Sequence, residues 1–118
     1  MSSKVLCYLR TLRNEWGLTQ KELASLLPKG DRNRVSLVER SLTPPNAGEI
    51  LAYSLIFGCS AQAIFPRFSE EVDEEVMRAA FRLHQRLESS SLPNAVRKRE
   101  LLNQVRARAV ENASQSDI

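Results

Sequence analysis

Three consecutive polar side chains, Arg32, Asn33 and Arg34, carry the most distinctive chemistry of this 118-residue chain. Asp31, which precedes them, is a favoured helix N-cap, so the three residues are predicted to form the first turn of a helix. An arginine can donate two hydrogen bonds to guanine O6 and N7, and an asparagine can pair with adenine N6 and N7. Each such pair discriminates between bases by about 1–3 kcal/mol. The pattern therefore indicates a helix tip whose side chains suit the base edges of a DNA major groove.

A short helix is predicted immediately before this tip. Thr19 and Glu22 have the spacing of a capping box, so the helix should begin at Gln20. It should stop before Pro28, because the residue preceding a proline is pushed away from helical geometry. The segment Pro28–Gly30 then predicts a tight turn. Two helices joined in this way leave the N-terminus of the second one projecting outward.

Apolar residues at helical spacing predict the core of the N-terminal region. A first helix is expected from Ser3 to Glu15. Its core-facing and flanking residues are Val5, Leu9, Leu12, Leu6 and Trp16. The helix that begins at Arg32 is expected to turn Val35, Val38 and Leu42 inward.

One more helix and a single turn complete this region. Asn46 and Glu49 form a second capping pair after a double proline, and the helix that they begin should end at Gly58. The residues expected to face the core are Ile50, Leu51, Leu55 and Ile56. Ser60 is predicted to cap a single turn that ends in the apolar pair Ile64 and Phe65.

The last fifty residues differ in character. Ser69 is predicted to begin a helix that ends near Ser89, with acidic residues in its first turns, where the positive end of the helix dipole favours them, and arginines further on. Asn94 is predicted to cap a final helix that ends near Asn112. The tail over residues 113–118 is expected to fray.

Composition favours an all-α fold in two parts. Glycine occurs only four times, no run of alternating β-branched residues is present, and Leu, Ala, Arg and Glu recur at helical spacing. The predicted parts are residues 1–68 and residues 69–118. The net charge is +3; residues 1–68 hold nine Lys or Arg against five Asp or Glu, and residues 69–118 hold eight against nine. The cationic surplus is therefore N-terminal, which suits an anionic partner there.

The sequence offers little catalytic or metal-binding chemistry. The lone His84 has no carboxylate or cysteine at ligand spacing, and we expect it on a helix surface or in a core. Cys7 and Cys59 lie at apolar helical positions, so we expect reduced, packed thiols in a cytoplasmic protein. No secretory segment is recognisable, and no apolar stretch approaches the ~20 residues of a membrane span. We therefore expect no enzyme, cofactor, metal ion or membrane partner.

Three motifs in order resemble one known family. They are LTQKELA from Leu18, VSLVER from Val35, and Gly58-Cys59-Ser60 followed by Ile64-Phe65. From Val5 to Phe65 the chain resembles the Cro and lambda-repressor type of helix-turn-helix domain, the XRE family. The resemblance implies a five-helix lambda-repressor-like domain whose second paired helix lies in the major groove of double-stranded DNA.

The resemblance also implies roles for individual residues. The positions that usually contact bases are Arg32, Asn33 and Leu37, with Arg34 adjacent on the same turn. The positions that usually hold phosphates are Gln20 and Arg40, and Lys29 could join them from the turn. Glu39 is expected to pair with an arginine on the first helix. Ser41 stands where the family often has glycine or asparagine.

The C-terminal helical hairpin carries more apolar surface than one neighbour normally covers. The first of its helices has a broad apolar face, and the second has a narrower stripe close to an a/d seam. The residues expected at a dimer interface are Val76, Ala80, Leu83, Leu87, Leu102 and Val105. The alternative is that both helices fold back on each other and on the N-terminal domain. In a homodimer, two recognition helices about 34 Å apart would read a palindromic site.

These patterns lead to one principal hypothesis and one rival. The principal hypothesis is a sequence-specific transcriptional regulator, a repressor that binds a palindromic operator as a homodimer. The rival is a protein-binding adaptor or antitoxin-like protein that grips another protein with its C-terminal helices. Enzymatic activity is the poorest interpretation, since one histidine and four glycines leave little catalytic machinery.

Overall fold

The computed structural model describes residues 6–116 of the chain, and the side chains of residues 6–114. Over this part the regular structure is entirely helical, without a strand, so the all-α class is confirmed. The helices are α1 (Leu9–Glu15), α2 (Gln20–Ser25), α3 (Arg32–Glu39), α4 (Ala47–Phe57), α5 (Ala61–Ile64), α6 (Pro66–Leu87) and α7 (Pro93–Ser116). The chain forms two compact units, Met1–Ser69 and Glu70–Ile118.

Local capping signals explain where the helices of the first unit begin. The Thr19 Oγ1 accepts a hydrogen bond from the Glu22 amide at 3.0 Å, and the Thr19 amide donates to Glu22 Oε1 at 2.9 Å. Asn46 and Glu49 form the same reciprocal pair at 2.9 and 2.7 Å. The Ser60 hydroxyl accepts from the Ala63 amide at 3.1 Å. The predicted caps are confirmed, and each satisfies amides that a helix start would otherwise leave unpaired.

One apolar cluster holds all five helices of the first unit together. Its buried residues are Leu9, Leu23, Ala24, Leu27, Val35, Val38, Tyr53, Ile64 and Phe65. Fully burying a side chain the size of Leu or Val contributes about 1.5–3 kcal/mol, so this cluster is the main source of stability for the unit. Because α2 and α3 supply four of these residues and the segment after α2 supplies Leu27, the helix pair is fixed from its buried side.

The first helix is shorter than the sequence predicted. Helix α1 begins at Leu9, and residues 6–8 are not helical because the Tyr8 amide donates instead to the Ile64 carbonyl at 2.8 Å. The predicted start at Ser3 and the core position of Val5 lie outside the described residues. Trp16, expected to flank the core, is 73% exposed.

The apolar face of α4 was predicted wrongly at two positions. Leu51 and Leu55 are 72% and 86% exposed, whereas Tyr53 is fully buried. Apart from Glu49 and Ser54, helix α4 consists of apolar residues, one glycine and one tyrosine, so periodicity does not identify its buried face. The helix ends as predicted at Gly58, which adopts the left-handed conformation with φ 66°.

Leu42 was also predicted to face inward and is instead 64% exposed. Helix α3 ends at Glu39, and Ser41 takes the left-handed conformation with φ 57°. That backbone turn carries the following residue away from the core.

Prolines begin the two long helices. Helix α6 begins at Pro66 rather than Ser69, and α7 begins at Pro93 rather than after a cap at Asn94. Proline is favoured at the first helical position, because the amide that it lacks has no partner there in any case. The acidic run therefore starts after the first turn of α6.

Helix α7 is also longer than the sequence predicted. It continues to Ser116, so residues 113–116 are helical rather than frayed. Residues 117 and 118 lie outside the described part of the chain.

In the second unit, α6 and α7 form an antiparallel hairpin. The less exposed residues recur at spacings of three and four, as in a coiled-coil seam. They are Asp73, Met77, Ala80, His84 and Leu87 on α6, and Ala95, Arg99, Leu102, Val105, Ala109 and Asn112 on α7. Asn112 Nδ2 donates to Asp73 Oδ2 at 3.3 Å, and Arg99 Nη1 donates to the carbonyls of Leu87 and Ser90. The arginine thereby satisfies carbonyls at the end of α6.

The six residues expected at a dimer interface fall into two sets. Ala80, Leu87, Leu102 and Val105 are half-buried. Val76 and Leu83 are 47% and 36% exposed. Within residues 6–116, no helix combines the length and hydropathy that crossing a bilayer requires.

Candidate nucleic-acid interface

The α2–α3 turn is built around a close backbone approach at Gly30. A Cβ atom added to Gly30 would lie 1.9 Å from the carbonyl oxygen of Ala24. No side chain fits there without moving the backbone, because such a distance is far inside van der Waals contact. The absence of a Cβ at this position therefore fixes how closely the turn passes the end of α2.

The start of α3 presents two polar side chains to solvent. Asp31 Oδ1 accepts a hydrogen bond from the Asn33 amide at 2.9 Å, which caps the helix. The side chains of Arg32 and Asn33 are exposed. Neither makes a side-chain hydrogen bond or ion pair to another residue of the described chain. Their donors and acceptors are therefore available to a ligand at the helix tip.

Arg34 is held differently from its two neighbours. Its Nε and Nη2 donate to the two carboxylate oxygens of Glu49, both at 2.7 Å. Nη1 donates to Thr43 Oγ1 at 3.1 Å, and Nη2 also donates to the Pro44 carbonyl at 2.8 Å. Four of the five guanidinium N–H groups are thus used within the protein. The structure places Arg34 as a clamp between α3 and α4, and a base contact would require that clamp to open.

The same pair changes the acidity of Glu49. Hydrogen bonds from Arg34 lower the pKa of the Glu49 carboxyl below its ordinary value, and the Asn46 amide acts in the same direction. The carboxylate therefore serves the capping box and the arginine together. Both interactions favour its charged form.

Glu39 joins three helices at the opposite end of α3. Its buried carboxylate accepts from Arg13 Nε at 2.6 Å and Arg13 Nη2 at 3.2 Å, and Arg10 Nε lies 3.8 Å away. Gln20 Nε2 also donates to Glu39 Oε1 at 3.1 Å. The expected pairing of Glu39 with an arginine of the first helix is confirmed. Paired in this way, the carboxylate anchors the C-terminal end of α3.

The residues expected to hold phosphates lie near both ends of α3: Gln20 and Arg40 at the Glu39 end, and Lys29 beside Arg34 and Glu49 at the other. Lys29 and Arg40 are exposed, and Arg40 Nε makes only a 3.3 Å hydrogen bond to the Ser36 carbonyl. Gln20 is half-buried and already donates one amide N–H to Glu39, so one N–H remains for another acceptor. Leu37 is 36% exposed. Among residues 6–114, no interaction occupies all the donors of Lys29 or Arg40.

Two features of the site were not found from the sequence. Tyr53 is fully buried near the carboxylates of Glu49 and Glu39. Its hydroxyl has no hydrogen-bond partner among the described residues. Burial raises the pKa of Tyr53 strongly, and the nearby charge of Glu49 adds to the effect. The Arg34–Glu49 pair was also missed. Residues fifteen positions apart give no local signal of contact, and only the packing of α3 against α4 brings them together.

No protein-family model matches the chain, and neither the curated proteins nor the solved structures gave a match.

Proposed function

We propose that this protein is a sequence-specific transcriptional regulator that binds double-stranded DNA with the tip of α3. In this proposal α1 to α5 form a lambda-repressor-like domain, and α2 and α3 are its helix-turn-helix. The protein acts in the cytoplasm as a repressor that occupies a palindromic operator as a homodimer. It needs no cofactor and is not an enzyme.

The proposal depends on the difference between the two ends of α3, one anchored in the protein and the other exposed. Its C-terminal end is anchored by Glu39 and by the buried Val35 and Val38, whereas the side chains of Arg32 and Asn33 are exposed and make no hydrogen bond or ion pair within the part of the chain that the structure describes. A rigid helix that presents an arginine and an asparagine at its first turn has the geometry and the donor set for major-groove recognition.

The proposal assigns different roles to the site residues. Arg32 and Asn33 read bases, and Leu37 packs against a thymine methyl group. Lys29 and Arg40, together with the remaining N–H of Gln20, hold phosphates and set the register on the duplex. Arg34 is a positioning residue here, because its guanidinium is committed to Glu49.

The test is selection of bound sites from random duplex DNA, followed by affinity measurements on the selected site at several salt concentrations. Arg32→Ala should cost about 1–3 kcal/mol of binding and relax the preference at one base position. Arg40→Ala should weaken binding to all sequences alike and reduce the slope of log K against log salt by about one. The matched control is Arg97→Ala, which removes the same charge from an exposed position of α7 and should change neither quantity.

A second candidate function, protein binding without DNA recognition, has one observation in its favour. The α6–α7 hairpin carries a groove of about 680 Å³. Its lining includes the apolar Met77, Phe81 and Leu102, the basic Arg78, Arg82 and Arg106, and the acidic Glu88. An acidic amphipathic helix of another protein suits such a groove. If no duplex DNA is retained at low salt, this adaptor function replaces the regulator.

A further inference from the structure

A second apolar stripe lies on α6, outside the seam that faces α7. Val72, Val76 and Leu83 are 40%, 47% and 36% exposed, and Ala79 is exposed with them. Their spacings of four, three and four place them on one side of the helix. At 100° per residue, the stripe is centred about 90° away from the seam residues that face α7. The hairpin therefore leaves one apolar side of α6 uncovered.

The charges along α6 indicate what covers this stripe. The N-terminal half of the helix contains four glutamates and one aspartate between residues 70 and 75, and the C-terminal half contains Arg78, Arg82 and Arg86. A parallel second copy would place like charges side by side. An antiparallel copy places each acidic half opposite a basic half, so a helix of this charge pattern complements itself in one orientation only.

Side-chain size along the stripe and the charges beside it determine how the two α6 helices align. Pairing two antiparallel copies near Ala79 lets the stripes meet where the side chains are smallest, with Val72 opposite the partner's Leu83 and Val76 opposite the partner's Ala79. Glu75 and Arg82 both lie on the flank of the stripe that is turned away from α7, and both are exposed. In this register Glu75 meets the partner's Arg82, and the two-fold symmetry repeats the pair.

We propose that the Val72–Leu83 stripe is a homodimer interface in which two α6 helices pack antiparallel, with two symmetric Glu75–Arg82 pairs between subunits. This inference rests on the homodimeric part of the proposed function and is independent of the DNA contacts. The less exposed apolar residues of the hairpin, among them Ala80, Leu87, Leu102 and Val105, lie along the α6–α7 seam within each subunit.

The first experiment measures the mass of the full chain in solution, without DNA, by sedimentation equilibrium. The wild type should show twice the 13.3 kDa of one chain. Glu75→Arg and Arg82→Glu should each raise the dimer dissociation constant about tenfold or more, because two symmetric attractions become repulsions. The double variant E75R/R82E should return to within about threefold of the wild type, since it restores opposite charges across the interface. Failure of the double variant to recover would overturn the proposed register.

Matched controls separate this surface from the rest of α6. Glu74→Arg makes the same charge change on the opposite side of the helix and should leave the mass unchanged. Leu83→Arg should give a monomer, whereas Phe81→Arg, on the groove side and 62% exposed, should not. The reverse result would place the interface in the groove and overturn the proposal.

Cysteine crosslinking tests the orientation. In a mixture of the two variants, Val76→Cys should form a disulfide with Ala79→Cys under mild oxidation, above the background from Cys7 and Cys59, because the register places these residues opposite each other. Val72→Cys should link to Leu83→Cys in a mixture of the two variants but not to itself. Self-linking of Val72→Cys would show parallel packing and overturn the proposal.

The interface and the DNA-binding function can fail separately. A dimer that fails to bind DNA would overturn the regulator function and leave the interface standing. A monomer that binds DNA would overturn the interface and leave DNA binding standing.

Discussion

The two units of this molecule bury their side chains to very different extents. The first unit has a core of nine buried apolar residues drawn from five helices. In the described part of the second unit, only Ala95 and Ala109 are buried, although its two helices are the longest of the chain. The first unit is therefore held by its own interior. The second is held by a narrow seam.

This difference matters because free energy of folding scales with apolar surface removed from water. Five short helices surround their core on several sides, whereas two helices can cover each other on one side only. The second unit consequently leaves Val76, Leu83 and Leu101 more than a third exposed. The homodimer proposed above would therefore stabilise the second unit more than the first.

Adding one methyl group to the α2–α3 turn should destabilise the first unit more than any other change considered below. Gly30→Ala should destabilise that unit by about 3 kcal/mol or more, because its Cβ would lie 1.9 Å from the Ala24 carbonyl oxygen and the backbone must move. Denaturant unfolding monitored at Trp16 measures the change. Gly48→Ala is the matched control, since its Cβ would meet only Asn46 Oδ1, at 3.5 Å, within helix α4. A cost as large for Gly48→Ala would contradict the explanation.

The Arg34–Glu49 clamp should have the next largest effect. Glu49→Gln should cost about 2 kcal/mol at pH 7, because it removes a charge-assisted pair at the edge of the core. The pKa of Glu49 is lowered in the folded state, so its contribution is complete above the ordinary carboxyl pKa of 4.5 and is lost as the pH falls through the folded value.

Unfolding measured from pH 7 to pH 2 checks this prediction. The free-energy difference between wild type and Glu49→Gln should shrink on acidification. Glu15→Gln, at an exposed position of α1, should leave stability unchanged within about 0.5 kcal/mol. A difference that stays constant with pH would argue against the clamp.

Dilution should sharpen the contrast between the units. If the second unit is stabilised by dimerisation, tenfold dilution should lower the protection of α6 and α7 amides by about 1.4 kcal/mol. Amides of α2 to α4 should exchange at the same rate at both concentrations. Hydrogen exchange followed by mass spectrometry measures both regions in one sample. Equal behaviour of the two units would remove the distinction drawn between them.

Ser41 allows a smaller test within the first unit. Ser41→Gly should stabilise the protein by about 1 kcal/mol. The left-handed backbone with φ 57° strains a residue that has a Cβ atom, and glycine has none. Ser36→Gly, the same substitution inside helix α3, should destabilise by about the same amount. Thermal unfolding of the two variants should therefore shift the midpoint in opposite directions.

The smallest expected effect concerns the exposed side of α4. Leu55→Ala should change stability by no more than about 0.5 kcal/mol, since this side chain is 86% exposed. Leu9→Ala removes the same atoms from a fully buried position and should cost about 2–5 kcal/mol. Chemical denaturation of both variants checks the difference.

Helix boundaries were predictable where a local signal defines them. Thr19 with Glu22, Asn46 with Glu49, and Gly58 each act within four residues, so the sequence alone located those ends. The starts of α6 and α7 were predicted wrongly at Pro66 and Pro93, because proline can end one helix and also begin the next. Helix propensity alone does not distinguish these two roles of proline.

The candidate site was only partly predictable. The exposed tip with Arg32 and Asn33 follows from a cap and a helix start, which are local features. The ion pair between Arg34 and Glu49 depends on how α3 packs against α4, and neither segment contains a local sequence signal for it. The exposure of Leu51 and Leu55 was missed for the same reason, since an all-round apolar helix acquires a buried side only from its neighbours.

The unequal ends of α3 have a consequence for diversification. Residues 32 and 33 touch no part of the interior, so exchanging their identities leaves the folding free energy nearly untouched. A library randomised at these two positions should consist almost entirely of folded proteins. New binding preferences can therefore accumulate at this tip without compensating changes elsewhere in the scaffold.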